Sequence, residues 1–206
     1  MIDLRHYISR FNLLFGEWDK EHPWHLTHKL GAILLERMRS LGPDYQILKD
    51  VAIHDSASID SHAILKGPVI ISPNCFVGAH AYLRGGVFLD ENVSVGPACE
   101  IKTSFLFSRS ALGHFNFVGD SLVGSHVNLE AGAVVANHYN ERKEKNITVF
   151  IEGKAYATGV EKFGALIGDH TKIGANAVLS PGSILSPGTV VKRLELIDQN
   201  HLAAGS

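Results

Sequence analysis

Residues 69–101 read VIISPNCFVGAHAYLRGGVFLDENVSVGPACEI, and Ile71, Val77, Leu83, Leu89, Val95 and Ile101 fall six residues apart. Counting back in sixes reaches Leu65, Ile59, Ile53 and Ile47, and counting forward reaches Phe107. The rhythm returns as Ile167, Ile173, Leu179, Leu185 and Val191. Neither an isolated helix nor an alternating strand has this period, so it is a structural repeat. Four residues after each aliphatic stands a small or β-branched residue: Ala57, Ala63, Val69, Cys75, Ala81, Val87, Val93 and Cys99. Gly and Pro punctuate the corners at Gly67-Pro68, Ser72-Pro73, Gly96-Pro97, Pro181-Gly182 and Pro187-Gly188. Each unit is one short strand and one corner, and the aliphatics are first of all core.

Outside the repeat, residues 1–44 carry helical spacing in Leu4, Tyr7, Ile8, Phe11, Leu14 and Phe15, and again in Leu26, Leu30, Ile33, Leu34, Met38 and Leu41. Pro23 suits a first turn and Gly42-Pro43 a stop. Two amphipathic helices are expected there, capping the open edge of the first coil. The rhythm slips between Phe107 and Val123, and a long interruption lies between Val135 and Ile167. Ile147–Ile151 followed by Glu152-Gly153-Lys154 predicts a hairpin projecting from the solenoid, within an insertion at 137–164. The repeat domain is set at 45–193, with a tail at 194–206. Breaks in a consistent pattern are where a site is sought first.

The chain has 206 residues, 45% hydrophobic and 19% charged, with net charge -2. That composition permits a core and argues against bulk nucleic-acid binding. No apolar run is long enough to span a membrane, and residues 1–15 lack a signal-peptide pattern. The two cysteines, Cys75 and Cys99, occupy small inward positions and are expected to be buried hydrophobes in a reduced, cytoplasmic protein.

Lys66, Arg84 and Lys102 are 18 residues apart, each just after an inward aliphatic, and predict a column of cations suited to a phosphate or carboxylate. Glu100 offsets part of that charge. His114 lies inside the first slip, and an imidazole is the natural general base near neutral pH. Twelve residues separate it from Lys102, which predicts a different side of a neighbouring coil. No histidine pair has the spacing of a β-helical zinc enzyme. His22, His25 and His28 read as helix surface, so no metal site is expected.

From Ala81 to Arg193 the sequence resembles the hexapeptide-repeat acyltransferases. The likeness extends to the acetyltransferase domain of bifunctional uridyltransferase/glucosamine-1-phosphate acetyltransferases and the related domain of archaeal sugar-1-phosphate nucleotidylyltransferases. The motifs that carry it are Tyr82-Leu83-Arg84, Glu100-Ile101-Lys102, Gly113-His114, Val118-Gly119-Asp120, Val127 to Gly132 and Ala136-Asn137. The resemblance implies a mainly β chain folded as a left-handed parallel β-helix of triangular, 18-residue coils behind a short N-terminal helical unit. It implies an acetyl-coenzyme A-dependent acyltransferase acting on an amino-sugar phosphate, assembled as a homotrimer. His114 then matches the general base and Asn137 a residue orienting the reacting groups. Arg84 and Lys102 match phosphate ligands, Asn128 a sugar contact and Lys143 a loop lysine on the phosphate. Phe117 stands where the family commonly has Tyr. Ala131, Asp169 and Pro187 fall along the expected coenzyme A groove. Residues 1–44 show no Gly-rich nucleotide-binding segment, so nucleotidyl transfer is not expected of this chain. Two alternatives stay open: acylation of a UDP-amino sugar of the lipid A type, and a non-catalytic regulatory or assembly solenoid.

Overall fold

The computed structural model describes residues 2–199. From Val51 the chain winds into a parallel β-helix whose three faces each stack seven strands. One face runs from Val51–His54 through Val69–Ile71 and the second halves of Tyr82–Leu89 and Glu100–Leu106 to Leu122–Val123, Ala165–Ile167 and Ser183–Leu185. A second runs from Ser58–Ile59 to Val190–Val191. The third runs from Ile64–Leu65 through Tyr82, Glu100 and Phe117–Gly119 to Leu196–Ile197. The mainly β solenoid that the period predicts is therefore the fold. The last strand lies inside the segment read as a tail from residue 194, and residues 200–206 of that tail lie outside the described residues.

One core fills the coils. Val77, Leu83, Leu89, Val95 and Ile101 belong to it, as do Ile167, Ile173, Leu179, Leu185 and Val191. The small positions between them, Val69, Cys75, Ala81, Val87, Val93 and Cys99, pack in the same core. Both cysteines are buried as expected; burial pushes the Cys75 thiol up to about 12 and raises that of Cys99. Two corner columns use the left-handed region once per coil. Asn74, Asn92, Arg109, His126 and His170 form one, and His62, His80, Ala98, Phe115 and Asn176 the other. Asn and His tolerate that conformation better than most side chains. These two columns therefore account for four of the twelve histidines, stacked in pairs: His62 on His80 at 5.5 Å and His126 on His170 at 4.8 Å.

The slip begins earlier than the aliphatic count places it. Arg84 pairs with Lys102, but Val87 pairs with Ser104, so Gly85 and Gly86 oppose Thr103 alone. Coils of 17 residues follow, as in Glu100↔Phe117 and Phe117↔Val134, and 18 is restored at Val178↔Leu196. Leu106 is consequently the inward residue, and Phe107 joins the outer cluster instead. Ile47 also leaves the series. It sits half-exposed in β1 (Tyr45–Leu48), which pairs antiparallel with β2 (Val51–His54).

That antiparallel strand covers the first coil's edge, so the helices do not cap it. They lie along the side of the solenoid, on the outward residues of the first face. Phe11 and Phe15 in α1 (Phe11–Phe15), and Trp24, Leu30 and Leu34 in α2 (Pro23–Met38), form a second core with Ile70, Phe88, Phe105, Phe107 and Leu122. Phe15 meets Phe88 and Phe105 edge-on at 5.0 and 5.1 Å. Gly86, at φ +98°, lets α2 approach: a Cβ there would stand 3.2 Å from the Gly31 nitrogen. The helix begins at Pro23 after an extended His22. His22 is not simply surface, since its ring stacks on Trp24 at 4.6 Å and burial lowers its pKa.

Charged contacts fix the same placement. The buried Asp90 carboxylate accepts from Arg10 at 2.8 Å and from the Ser108 N–H. The predicted hairpin forms as Thr148–Ile151 with Lys154–Ala157. Its second strand is exposed throughout, while the first packs on the solenoid. Ile147 and Val149 are buried in the outer core beside Ile184, because the first face needs cover over its later coils as well.

Candidate active site

The third face carries the cation column. Arg84 and Lys102 are register neighbours on adjacent coils, about one strand spacing of ~4.8 Å apart. Two like charges at that distance repel by roughly 1–3 kcal/mol, depending on exposure. Carboxylates beside the column relieve this. Arg84 pairs with Glu100 at 2.6 Å and Lys102 with Asp120 at 2.8 Å. The second pair is the more buried, with side chains 18% and 10% exposed.

Asp120 is the hub. The oxygen that takes the Lys102 ammonium also accepts the Asn137 side-chain N–H. Its backbone N–H donates to the Lys102 carbonyl, and its own carbonyl accepts from Gly164, where the chain returns from the long loop. Asn137 Oδ1 in turn meets His138 Nδ1 at 3.2 Å. Gly119 makes the room: a Cβ there would lie 2.8 Å from Asn137 Nδ2 and 2.9 Å from Phe117 Cε1. The shortened coils thus bring Lys102, Phe117, Asp120 and Asn137 together.

His114 is exposed at the corner where the second face turns into the third, three residues before Phe117–Gly119. It therefore borders the face that bears Lys102, rather than lying on another side. Its carbonyl accepts the Gly132 N–H at 2.8 Å, which stacks Ala131 one coil below it. Asn128 is exposed on the second face, paired with Ala111 and Lys172. It edges a groove of ≈ 450 Å³ that also involves Glu130, Lys172, Val190 and Arg193. Glu130 accepts two hydrogen bonds from Arg193, at 2.9 and 2.8 Å, and that pairing lowers its pKa. Lys143 is exposed in the loop.

The residues expected to line one groove separate. Ala131 stands on the His114 edge, whereas Asp169 and Pro187 stand on the corner between the first and second faces. Asp169 is also committed to the fold. Its buried carboxylate accepts the Ser9 N–H at 3.0 Å, the Ser9 hydroxyl at 2.7 Å and the Ser125 N–H at 2.7 Å. The lateral docking of the N-terminal segment is what brings Ser9 to it. Asp120 went without an assigned role in the sequence, although its 18-residue spacing from Lys102 was the available signal. Among the described residues, no group of three or more His, Cys, Asp or Glu side chains is placed to hold a metal ion. No helix among them is long and apolar enough to cross a membrane.

Three stacked faces, corner columns and an aliphatic core of period six define a hexapeptide-repeat β-helix. The chain has that fold, and its sequence is similar to the following proteins. Residues 65–161 match the GMPPB C-terminal domain. A bifunctional sugar-1-phosphate nucleotidylyltransferase/acetyltransferase from Sulfurisphaera tokodaii is 37% identical over 83 residues, 40% of this chain and 20% of its own. Bifunctional protein GlmU from Methanococcus maripaludis is 34% identical over 202 residues, 91% of this chain and 46% of its own. Its counterpart from a Nostoc species is 28% identical over 195 residues, 87% and 33% respectively. The chain thus spans less than half the length of these relatives.

Proposed function

We propose that this chain is a coenzyme A-dependent acyltransferase that N-acetylates an amino-sugar phosphate, with glucosamine-1-phosphate as the first candidate. Acetyl-coenzyme A is the donor, the working form is a cytoplasmic homotrimer, and the chemistry needs no metal. The observation that carries this reading is the Lys102–Asp120–Asn137 cluster on the same face that His114 borders. The acetyltransferase in the name of the Sulfurisphaera relative supports it.

In this reading Arg84 and Lys102 hold the acceptor's phosphate, which turns binding energy into positioning. Phe117 and Asn128 border the sugar, and Lys143 reaches the phosphate from the loop. His114 takes a proton from the acceptor amine as its nitrogen bonds to the thioester carbon. A backbone N–H at a corner stabilises the oxyanion. The C–S bond then breaks, and the sulfur leaves as coenzyme A, taking up the proton. Asn137 orients the reacting groups. Trimer assembly is supported by the exposed His114 edge and by three uncovered apolar side chains, Ile64, Phe115 and Leu196.

 Ile64 is 52% exposed, Phe115 71% and Leu196 62%, and all three lie on or beside the two faces that the N-terminal unit leaves open.

The test is a thiol-release assay with acetyl-coenzyme A against glucosamine-1-phosphate, galactosamine-1-phosphate and UDP-amino sugars. His114→Ala is expected to lower transfer by about 10²–10⁴-fold without changing the oligomer. Unchanged turnover in that variant overturns the assignment.

A further inference from the structure

Lys66 is the member of the cation column that the proposed reaction leaves unused. It stands one coil before Arg84, just past the pairing of Ile64–Leu65 with Tyr82-Leu83. Its surroundings differ from those of the other two cations. Arg84 is held by Glu100, and Lys102 by Asp120. Among the described residues, Lys66 has no carboxylate within ion-pair distance. Its ammonium lies 5.1 Å from the centre of the Tyr82 ring, and the Arg84 guanidinium lies 5.5 Å from the same ring. One aromatic ring thus gathers two cations, and a single carboxylate, Glu100, offsets them.

Such an arrangement is poised for an anion. A ring quadrupole offsets part of the repulsion between two cations but does not neutralise either. An incoming phosphoryl group does so, with oxygens that accept from a guanidinium and an ammonium together. Lys102 already holds one phosphoryl group in the proposed reaction, jointly with Arg84. Two phosphoryl groups joined through one oxygen span less than a strand spacing, so flexible Lys and Arg stems can follow both.

We infer that Lys66, Tyr82 and Arg84 form a second phosphoryl subsite, one coil before Lys102, and that this face binds a diphosphate more tightly than a monophosphate. That this ligand is the acyl acceptor rests on the reaction proposed above; the subsite does not. It adds a contact for amino sugars joined to a carrier through a diphosphate, while a monophosphate such as glucosamine-1-phosphate is held by Arg84 and Lys102 alone.

The experiment is calorimetric titration of the full chain at fixed ionic strength, with inorganic phosphate and pyrophosphate as probes. Wild type, Lys66→Ala, Lys66→Arg and Lys154→Ala are compared, the last removing an exposed hairpin lysine far from the column. Pyrophosphate is expected to bind wild type about tenfold tighter than phosphate, the worth of one further charge-assisted contact. Lys66→Ala should lose most of that excess and leave phosphate within about twofold, while Lys66→Arg retains it. Equal binding of the two anions by wild type, or equal losses in Lys66→Ala and Lys154→Ala, overturns the subsite. A protein that passes this titration yet releases no thiol separates failure of the acyl-transfer reading from failure of the subsite.

Discussion

Replacing Phe15 with Ala tests whether the N-terminal unit is an integral wall of the solenoid. Phe15 is 1% exposed and lies edge-on to Phe88 and Phe105, with Phe107 and Phe11 at 6.3 and 6.0 Å. The Arg37 guanidinium covers it at 4.9 Å. Truncating a buried Phe costs about 3–5 kcal/mol, the cavity included. Edge-to-face pairs contribute roughly 0.5–1.5 kcal/mol each beyond area, so the upper half of that range is expected. Phe15→Leu keeps most of the volume and should cost clearly less. Both tryptophans, Trp18 and Trp24, belong to the N-terminal unit, whereas the β-sheet signal in circular dichroism comes from the solenoid. Urea unfolding followed by both probes at one protein concentration therefore reads the two parts separately. Coincident transitions in wild type and a loss of about 3 kcal/mol or more in Phe15→Ala are expected. A loss below about 1 kcal/mol, or a fluorescence transition that leaves the sheet signal unmoved, refutes the integral wall.

Gly119→Ala should push Asn137 and Phe117 off their positions around Asp120. A displacement of that kind is expected to lower kcat/KM for acetyl transfer by about a hundredfold, read in the thiol-release assay with the fold checked by circular dichroism. Asp169→Ala strands the buried Ser125 N–H and releases the exposed Ser9, and denaturant titration should show a loss of roughly 1–3 kcal/mol. Were Asp169 a donor-groove residue instead, the change would raise KM for acetyl-coenzyme A and spare stability. Cys75, held neutral by burial up to about 12, should resist a thiol-specific colour reagent at pH 8 in the native protein and react once it is unfolded. The sign follows from the raised pKa: above the ordinary thiol value of about 8.5 the unfolded chain ionises first, so stability falls as pH rises from there toward 12.

The site was legible where it depended on spacing along the repeat. Lys102 and Arg84 could be placed in one column because a coil is a fixed count of residues, whereas Asp120 falls one place past Gly119, the register partner of Lys102, because that coil has lost a residue. The side of the coil assigned to His114 was misjudged because one residue is lost at Thr103, opposite Gly85 and Gly86, before the aliphatics reveal it. Phe107 kept the rhythm of six and so passed for core, although it faces the helices. Asp169 shows the same limit: its partners Ser9 and Ser125 lie 160 and 44 residues away, distances that no local pattern encodes.

The solenoid, its inward aliphatics and the cation column follow from the residue order alone, because a period of six fixes which side chains share a face and which share a column. The place of the N-terminal helices, the pairing of each cation with its carboxylate and the folding of the loop back onto the first face emerge when the chain is packed. Those outcomes depend on outward apolar residues, Ile70, Phe88, Phe105, Leu122, Leu166 and Ile184, finding cover. Burial drives that docking without direction, so its partner is chosen by the assembled surface rather than by any stretch of the chain.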